Sequence, residues 1–163
     1  MPPDHREETV HEDDVESLTR KSIDKTGFEV MLETLEYLAR GGRVPAIASL
    51  VGSAIKLNPI VGNRSDGTVG ILAPTFGQKA AIARMLKEIE QKEKSRPLKR
   101  LAVMHADALP KAQALMEQVT ERFDCDEIYL AEFTPVMGAH AGPGVVGLAY
   151  QFEDPSPVDS GED

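Results

Sequence analysis

The chain has 163 residues, of which 41% are hydrophobic, only 5% are aromatic and none is Trp. That suffices for one domain with an aliphatic core and excludes a wholly disordered chain. A net charge of −9 argues against nucleic acid as a ligand, because phosphates need Lys and Arg, and against broad docking on anionic membranes.

Residues 1–11 read as an acidic disordered tail, and 153–163 as a second one, so the folded domain is expected over 12–152. Glu12 to Ile23 reads as a helix with Val15, Leu18 and Ile23 as sparse apolar positions, broken by Lys25-Thr26-Gly27. Phe28, Val30 and Leu32 alternate with Glu29, Met31 and Glu33, which predicts a strand. The same residues could instead begin a helix running through Leu35 and Leu38, and Gly41-Gly42 would stop a helix here. Pro45 suits a first helical position, and the small apolar run Ala46 to Ile55 predicts a helix able to approach another surface closely.

Leu57 to Gly62 and Thr68 to Ala73 predict a hairpin around Asp66-Gly67, with Pro59 better placed at a strand end than inside one. Gly77 to Lys94 is a helix with Ala80, Ala81, Ala83, Met85, Leu86 and Ile89 on its apolar side and Glu88, Glu90, Lys92, Glu93 and Lys94 toward water. Lys99 to His105, Pro110 to Phe123 and Asp126 to Phe133 read as strand, helix, strand, hence a parallel crossover. The chain then enters a glycine-rich turn, Gly138 to Gly144, expected to carry His140 on a loop. It ends in a strand where Val146, Leu148, Tyr150 and Phe152 share one face. The sum is an α/β fold in two layers: a mixed six-stranded sheet with about five helices, mainly on one face.

Catalytic and metal chemistries find little support. No G-x-S-x-G elbow exists, and Val51-Gly52-Ser53-Ala54 is not one. Of the four histidines, His5 and His11 sit in the acidic tail, and His105 with Asp107 is too small a set for zinc. Asp107 reads as a cap or turn residue before Pro110. Gly41-Gly42-Arg43 lacks a Walker lysine, so Arg40 and Arg43 read as surface ion-pair partners. No catalytic residue, metal or cofactor is expected. Cys125 is the single cysteine, so no intrachain disulfide can form. No apolar run reaches the ~18 residues that span a bilayer, and Pro2 to Glu7 resembles no secretory signal. A cytoplasmic protein is the expectation.

The segment Thr134-Pro135-Val136-Met137-Gly138-Ala139-His140-Ala141-Gly142-Pro143-Gly144-Val145-Val146-Gly147 resembles the C-terminal signature of DegV family fatty-acid-binding proteins. Leu35-Glu36-Tyr37-Leu38-Ala39-Arg40-Gly41-Gly42-Arg43-Val44 and Leu50-Val51-Gly52-Ser53-Ala54-Ile55-Lys56-Leu57-Asn58-Pro59-Ile60-Val61 are similar to two further family blocks, in order. The likeness covers the second half of such a protein, whose second domain is a two-layer α/β unit with a mixed six-stranded sheet, and it favours a strand from Phe28 followed by a short helix from Thr34 to Arg40.

The resemblance implies a long-chain fatty acid as ligand. The carboxylate would be met by the hydrogen-bond network around His140, with the backbone at Gly142 and Gly144 close by and Ser53 a candidate along the acyl site. It implies a non-catalytic carrier that needs a complementary domain to enclose the acyl chain, either a separate N-terminal-type DegV domain or a second copy in a homodimer. A fatty acid kinase is the implied downstream partner. Thr75-Phe76-Gly77-Gln78 departs from the Arg-rich helix start common in the family, a departure that bears on presenting lipid or docking a kinase. Two other readings stand beside the carrier. One is a protein–protein assembly domain that kept the fold and lost the ligand. The other is an enzyme using His140 with Asp107 or His105.

Overall fold

A computed structural model describes residues 12–42 and 57–153, with side chains from Val15 onward. The predicted helix over residues 45–55, and with it Ser53, lies outside the described residues, as do His5, His11, Arg43 and residues 154–163. In chain order the elements are α1 (Glu12–Ile23), β1 (Thr26–Met31), α2 (Glu36–Arg40), β2 (Ile60–Asn63), β3 (Val69–Ala73) and α3 (Gln78–Glu93). These are followed by β4 (Leu98–Ala106), α4 (Leu109–Arg122), β5 (Glu127–Glu132), α5 (Pro135–Ala141) and β6 (Val145–Phe152).

The six strands form one sheet in the order β3-β2-β1-β6-β4-β5. The expected mixed α/β sheet is therefore present. Only β4 and β5 run parallel, joined through α4, and every other neighbouring pair is antiparallel. The last strand lies in the middle. β6 pairs with β1 from Met31↔Val146 to Thr26↔Gln151, and with β4 from Ala106↔Val145 to Leu98↔Phe152.

Both faces of the sheet are apolar. The alternation of β6 sends Val146, Leu148, Tyr150 and Phe152 to one face, as expected. There they join Met85, Leu86 and Ile89 of α3 and Ala112, Leu115 and Val119 of α4 in the main core. These helices present apolar residues at three- and four-residue spacing, which places a stripe on the sheet. The opposite face carries Val30, Leu32, Val61, Ala106 and Val145 under Leu35 beside α2 and Ala141 of α5. So the two long helices lie on one face, and the two short ones on the other.

Several boundaries differ from the sequence reading, each for a packing reason. α1 ends before Lys25-Thr26-Gly27 as expected, but β1 begins at Thr26, two residues ahead of the predicted strand, so Gly27 lies inside it. A Cβ at Gly27 would overlap the Tyr150 ring, which lies across it. β2 is shorter than predicted. Leu57 only bridges to Phe76, and Pro59 precedes the strand, its carbonyl accepting the Leu32 N–H at 3.0 Å. Glu153, assigned by sequence to the tail, donates its backbone N–H to the Pro97 carbonyl at 2.9 Å. The largest correction is the predicted loop around His140, which is the helix α5. Pro135 at the start and Gly142 in a left-handed conformation at the end are helix start and stop signals.

Glu29 also breaks the binary pattern. It points into the main-core side and is fully buried. Lys92, predicted to face water, reaches back from the last turn of α3 to Glu29 Oε1 at 3.1 Å and to the Tyr150 hydroxyl at 2.5 Å. Glu29 Oε2 has no hydrogen-bond partner. Burial pushes the Glu29 carboxyl up to about 7, although Lys92 pulls in the other direction. Burial disfavours the Lys92 ammonium, but Tyr150 and Glu29 outweigh it and raise its pKa overall.

Because the folded Glu29 pKa lies above its unfolded value of 4.5, stability from this group is complete below pH 4.5 and is lost as pH rises through 7. Glu29→Gln is expected to flatten the melting temperature between pH 5 and 8, and to match or exceed the native chain at pH 8. The difference between the two pH extremes should be no more than about 3 kcal/mol. The central position of β6 gives a second expectation. Leu148→Ala, at a fully buried site, should cost about 2–5 kcal/mol in urea unfolding. Leu130→Ala on edge strand β5, 37% exposed, should cost under about 1 kcal/mol.

Candidate functional site

The signature residues gather where β1 and β4 end and β6 begins. α5 runs from Pro135 to Ala141, its fold set by Gly138 N–H to Thr134 O at 2.9 Å and Gly142 N–H to Gly138 O at 2.8 Å. Gly142 (φ 83°) and Gly144 (φ 84°) both take left-handed backbone, where a side chain would be strained. Between them the chain turns into β6, tied to β4 by Gly144 N–H to Ala106 O at 2.9 Å.

Three neighbours close on this turn. A Cβ on Gly41, just after α2, would lie 2.8 Å from His140 Nδ1, so the half-buried imidazole rests against bare backbone there. The Tyr37 ring of α2 occupies the space that a Cβ on Gly142 would need. A Cβ on Gly144 would lie 2.7 Å from Glu33 Cγ. Thus Tyr37 and Gly41, from one sequence block, meet His140 and Gly142, from another, 99 residues apart between Gly41 and His140. The end of the third block also reaches this end of the sheet: Asn58 donates its side-chain amide to Leu32 O at 3.2 Å and its backbone N–H to Thr75 O at 2.9 Å.

Beneath the turn lies the apolar wall of the second sheet face, with Leu38, Met104 and Phe133 half-buried around it. An open cavity of about 540 Å³ adjoins α5, lined by Ala106, Asp107, Phe133, Pro135, Gly138 and Gly142 among others. Val136 and Met137 on α5 are 69% and 45% exposed. A cavity of about 570 Å³ at the other end of the sheet gathers Lys25, Arg64, Lys92 and Arg96. That lining does not suit an acyl chain.

His140, Gly142 and Gly144 share one short segment but face different neighbours: α2, the cavity and Tyr37, and Glu33 respectively. Asp107 lies outside the expected cap. Ala108 is the N-cap of α4, and Asp107 takes φ 48°, the one described non-glycine residue with positive φ. His105 is buried, and its Nδ1 has no partner. No hydrogen bond joins His140 to His105 or Asp107 among the described residues. The described residues contain no group of three or more His, Cys, Asp or Glu able to hold a metal, and none of their helices is long and apolar enough to cross a membrane. Arg40 makes the expected surface pair, 3.7 Å from Glu36.

Sequence reasoning missed Glu33, Lys111 and Tyr37. Glu33 accepts from Gln78 Nε2 at 2.9 and 3.1 Å and pairs with Lys111 Nζ. Periodicity could have flagged Lys111, which falls one helical turn before the core residue Leu115 of α4 yet is charged. Nothing local marks Glu33 as its partner, 78 residues away.

The arrangement fits what comparison finds. The DegV family model matches residues 6–153, and the chain belongs to that family. A DegV domain-containing protein of Clostridium perfringens is 31% identical over 140 residues, covering 86% of this chain and 49% of its own length. The crystal structure of DegV from Bacillus subtilis, described as a fatty acid binding protein, superposes with a TM-score of 0.73. It is 25% identical over 88% of this chain and 50% of its own. The Fatty Acid Kinase (Fak) B3 protein of Streptococcus pneumoniae, loaded with linoleic acid, superposes at 0.72. It shares 19% identity over 87% of this chain and 50% of its own. The chain spans about half the length of the curated relatives it matches.

The Tyr37–Gly142 contact gives a direct test of the turn. Gly142→Ala would force a Cβ into the Tyr37 ring at positive φ and is expected to lower stability by about 1–3 kcal/mol. Adding Tyr37→Ala should remove the clash but leave the backbone strain, so the double variant should recover only part of the loss in thermal melting. Full recovery would mean that the backbone there carries no strain.

Proposed function

We propose that this chain is a DegV-type lipid-binding module that holds a long-chain fatty acid as a non-catalytic carrier. The observation carrying the reading is the convergence of His140, Gly41 and the Gly142–Gly144 turn above an apolar wall, in a family whose Bacillus subtilis member is described as fatty acid binding. A neutral imidazole can donate one hydrogen bond and accept another, and a protonated one attracts a carboxylate. His140 would meet the carboxylate. Gly142 and Gly144, whose N–H groups are bonded to Gly138 O and Ala106 O, would shape the backbone beside the ligand. The acyl chain would lie along the second sheet face, and Ser53, from the family block Leu50–Val61, remains a proposed ligand contact.

One wall does not enclose an acyl chain. A complementary N-terminal-type DegV domain, or a second copy of this chain, would supply the other. Exposed Val136, Met137 and Phe76 suit contact with such a partner. The same exposed side chains favour the second reading, an assembly domain that kept the fold and lost the ligand. The likeness to the Fak B3 protein supports a fatty acid kinase as the protein that would receive the lipid, in a cytoplasmic setting.

Native mass spectrometry of lipid-free-purified protein, followed by organic extraction, separates these readings. A retained fatty acid at one per chain or one per dimer is expected, and His140→Ala should lower retention about tenfold, the loss of one hydrogen bond to a charged group. Retention unchanged in His140→Ala would remove His140 from the site. An assembled but lipid-free protein would favour the assembly domain.

A further inference from the structure

We infer that Glu33, Gln78 and Lys111 form a clamp that positions the Gly142–Gly144 turn, and so act as positioning residues for the ligand site proposed above. Glu33 follows β1, Gln78 opens α3 and Lys111 lies in the first turn of α4. Three separate elements of the main-core side thus send one side chain each to the same point at the end of the sheet.

The contacts are specific. Gln78 Nε2 donates to both Glu33 carboxylate oxygens, at 2.9 and 3.1 Å. Lys111 Nζ pairs with Glu33 Oε1 and lies 3.4 Å from the Gly144 carbonyl oxygen. Glu33 packs its stem against the Gly144 backbone, at the spot where any side chain on residue 144 would begin. Gly144 is thereby fixed on three sides: by its N–H on Ala106 O, by Lys111 at its carbonyl and by Glu33 against its Cα.

The pair is partly shielded, with side chains 28% and 39% exposed for Glu33 and Lys111. A shielded pair fixed by a third donor is held more firmly than a solvated one, because fewer water contacts compete and the carboxylate has little rotational freedom left. Gly144 sits four residues after His140. A turn whose two glycines tolerate many backbone states needs such external fixation to keep one of them. The N–H groups of Gly142 and Gly144 are already bonded to Gly138 O and Ala106 O, so the group the turn orients is the His140 side chain just before it, which can meet a carboxylate only if it is held in place. The clamp supplies that orientation without touching the ligand.

The test is residue-resolved amide hydrogen exchange on the full chain, comparing native protein with Glu33→Gln, Lys111→Met and the exchanged pair Glu33→Lys/Lys111→Glu. Each single variant is expected to speed exchange at the Gly144 amide about tenfold or more, while the amides of Leu101 and Leu148 keep their native protection. The exchanged pair keeps an ion pair but sets a carboxylate where Lys111 met the Gly144 carbonyl, so it is expected to recover only part of the Gly144 protection. Unchanged exchange at Gly144 in both single variants overturns the clamp. So does acceleration that rises equally at Leu101 and Leu148, which would show a general loss of stability. Fatty-acid retention by the single variants, read by native mass spectrometry, should fall several-fold and recover only in part in the exchanged pair. If the native chain retains no fatty acid, the lipid-binding reading fails while the exchange result still decides the clamp.

Discussion

The pairing of β6 with both β1 and β4 is the constraint on which the rest of this fold depends. β1 and β4 do not touch each other in the ladder; the last strand of the chain lies between them. Without it the sheet falls into a three-stranded antiparallel piece, β3-β2-β1, and a two-stranded parallel one, β4-β5. A two-stranded piece alone is marginal at best in water. Val146 and Leu148 are fully buried because α3 and α4 close over the strand from one side. That burial also fixes where the strand must begin. The turn from Gly142 to Gly144 is therefore held in place at one end by a strand whose first residues, Val145 and Val146, are fully buried.

The two sheet faces play different parts. The main-core face is closed by two helices of 16 and 14 residues, and the charged intrusion of Glu29 into it is answered by Lys92. The second face is covered among the described residues by helices of 5 and 7 residues, which leave Phe28, Ile71 and Met104 only partly buried. Rigidity on the first face and accessible apolar surface on the second suit a protein that must present a wall to a ligand or partner.

The long elements were legible because period and length agreed. The helices α3 and α4, the strand β4 and the inward face of β6 follow from apolar spacing, and the β2–β3 hairpin from Asp66-Gly67. Short or locally ambiguous elements were not. α5 has only 7 residues, three of them the small Gly138, Ala139 and Ala141, so the stretch read as a turn although Pro135 and Gly142 bracket a helix. Glu29 violated the polar-outward rule because its partner, Lys92, is 63 residues away. The position of His140, Gly142 and Gly144 at one end of the sheet followed from the family blocks. The contacts that shape their surroundings, Tyr37 on Gly142 and Glu33 on Gly144, join residues more than 100 apart and leave no local pattern.

Asp107 closes β4 in left-handed backbone and borders the cavity beside α5. An L-residue in that conformation sits about 1 kcal/mol above its relaxed state, and Asp and Asn tolerate it better than most. Glycine would relax the geometry but would give the unfolded chain more freedom to lose, which offsets much of the gain. The position is thus nearly indifferent in stability among Gly, Asn and Asp, and hostile to β-branched residues. Selection on this site can therefore act on charge alone: the carboxylate at the cavity rim can be kept, neutralised or deleted with little change in how well the chain folds.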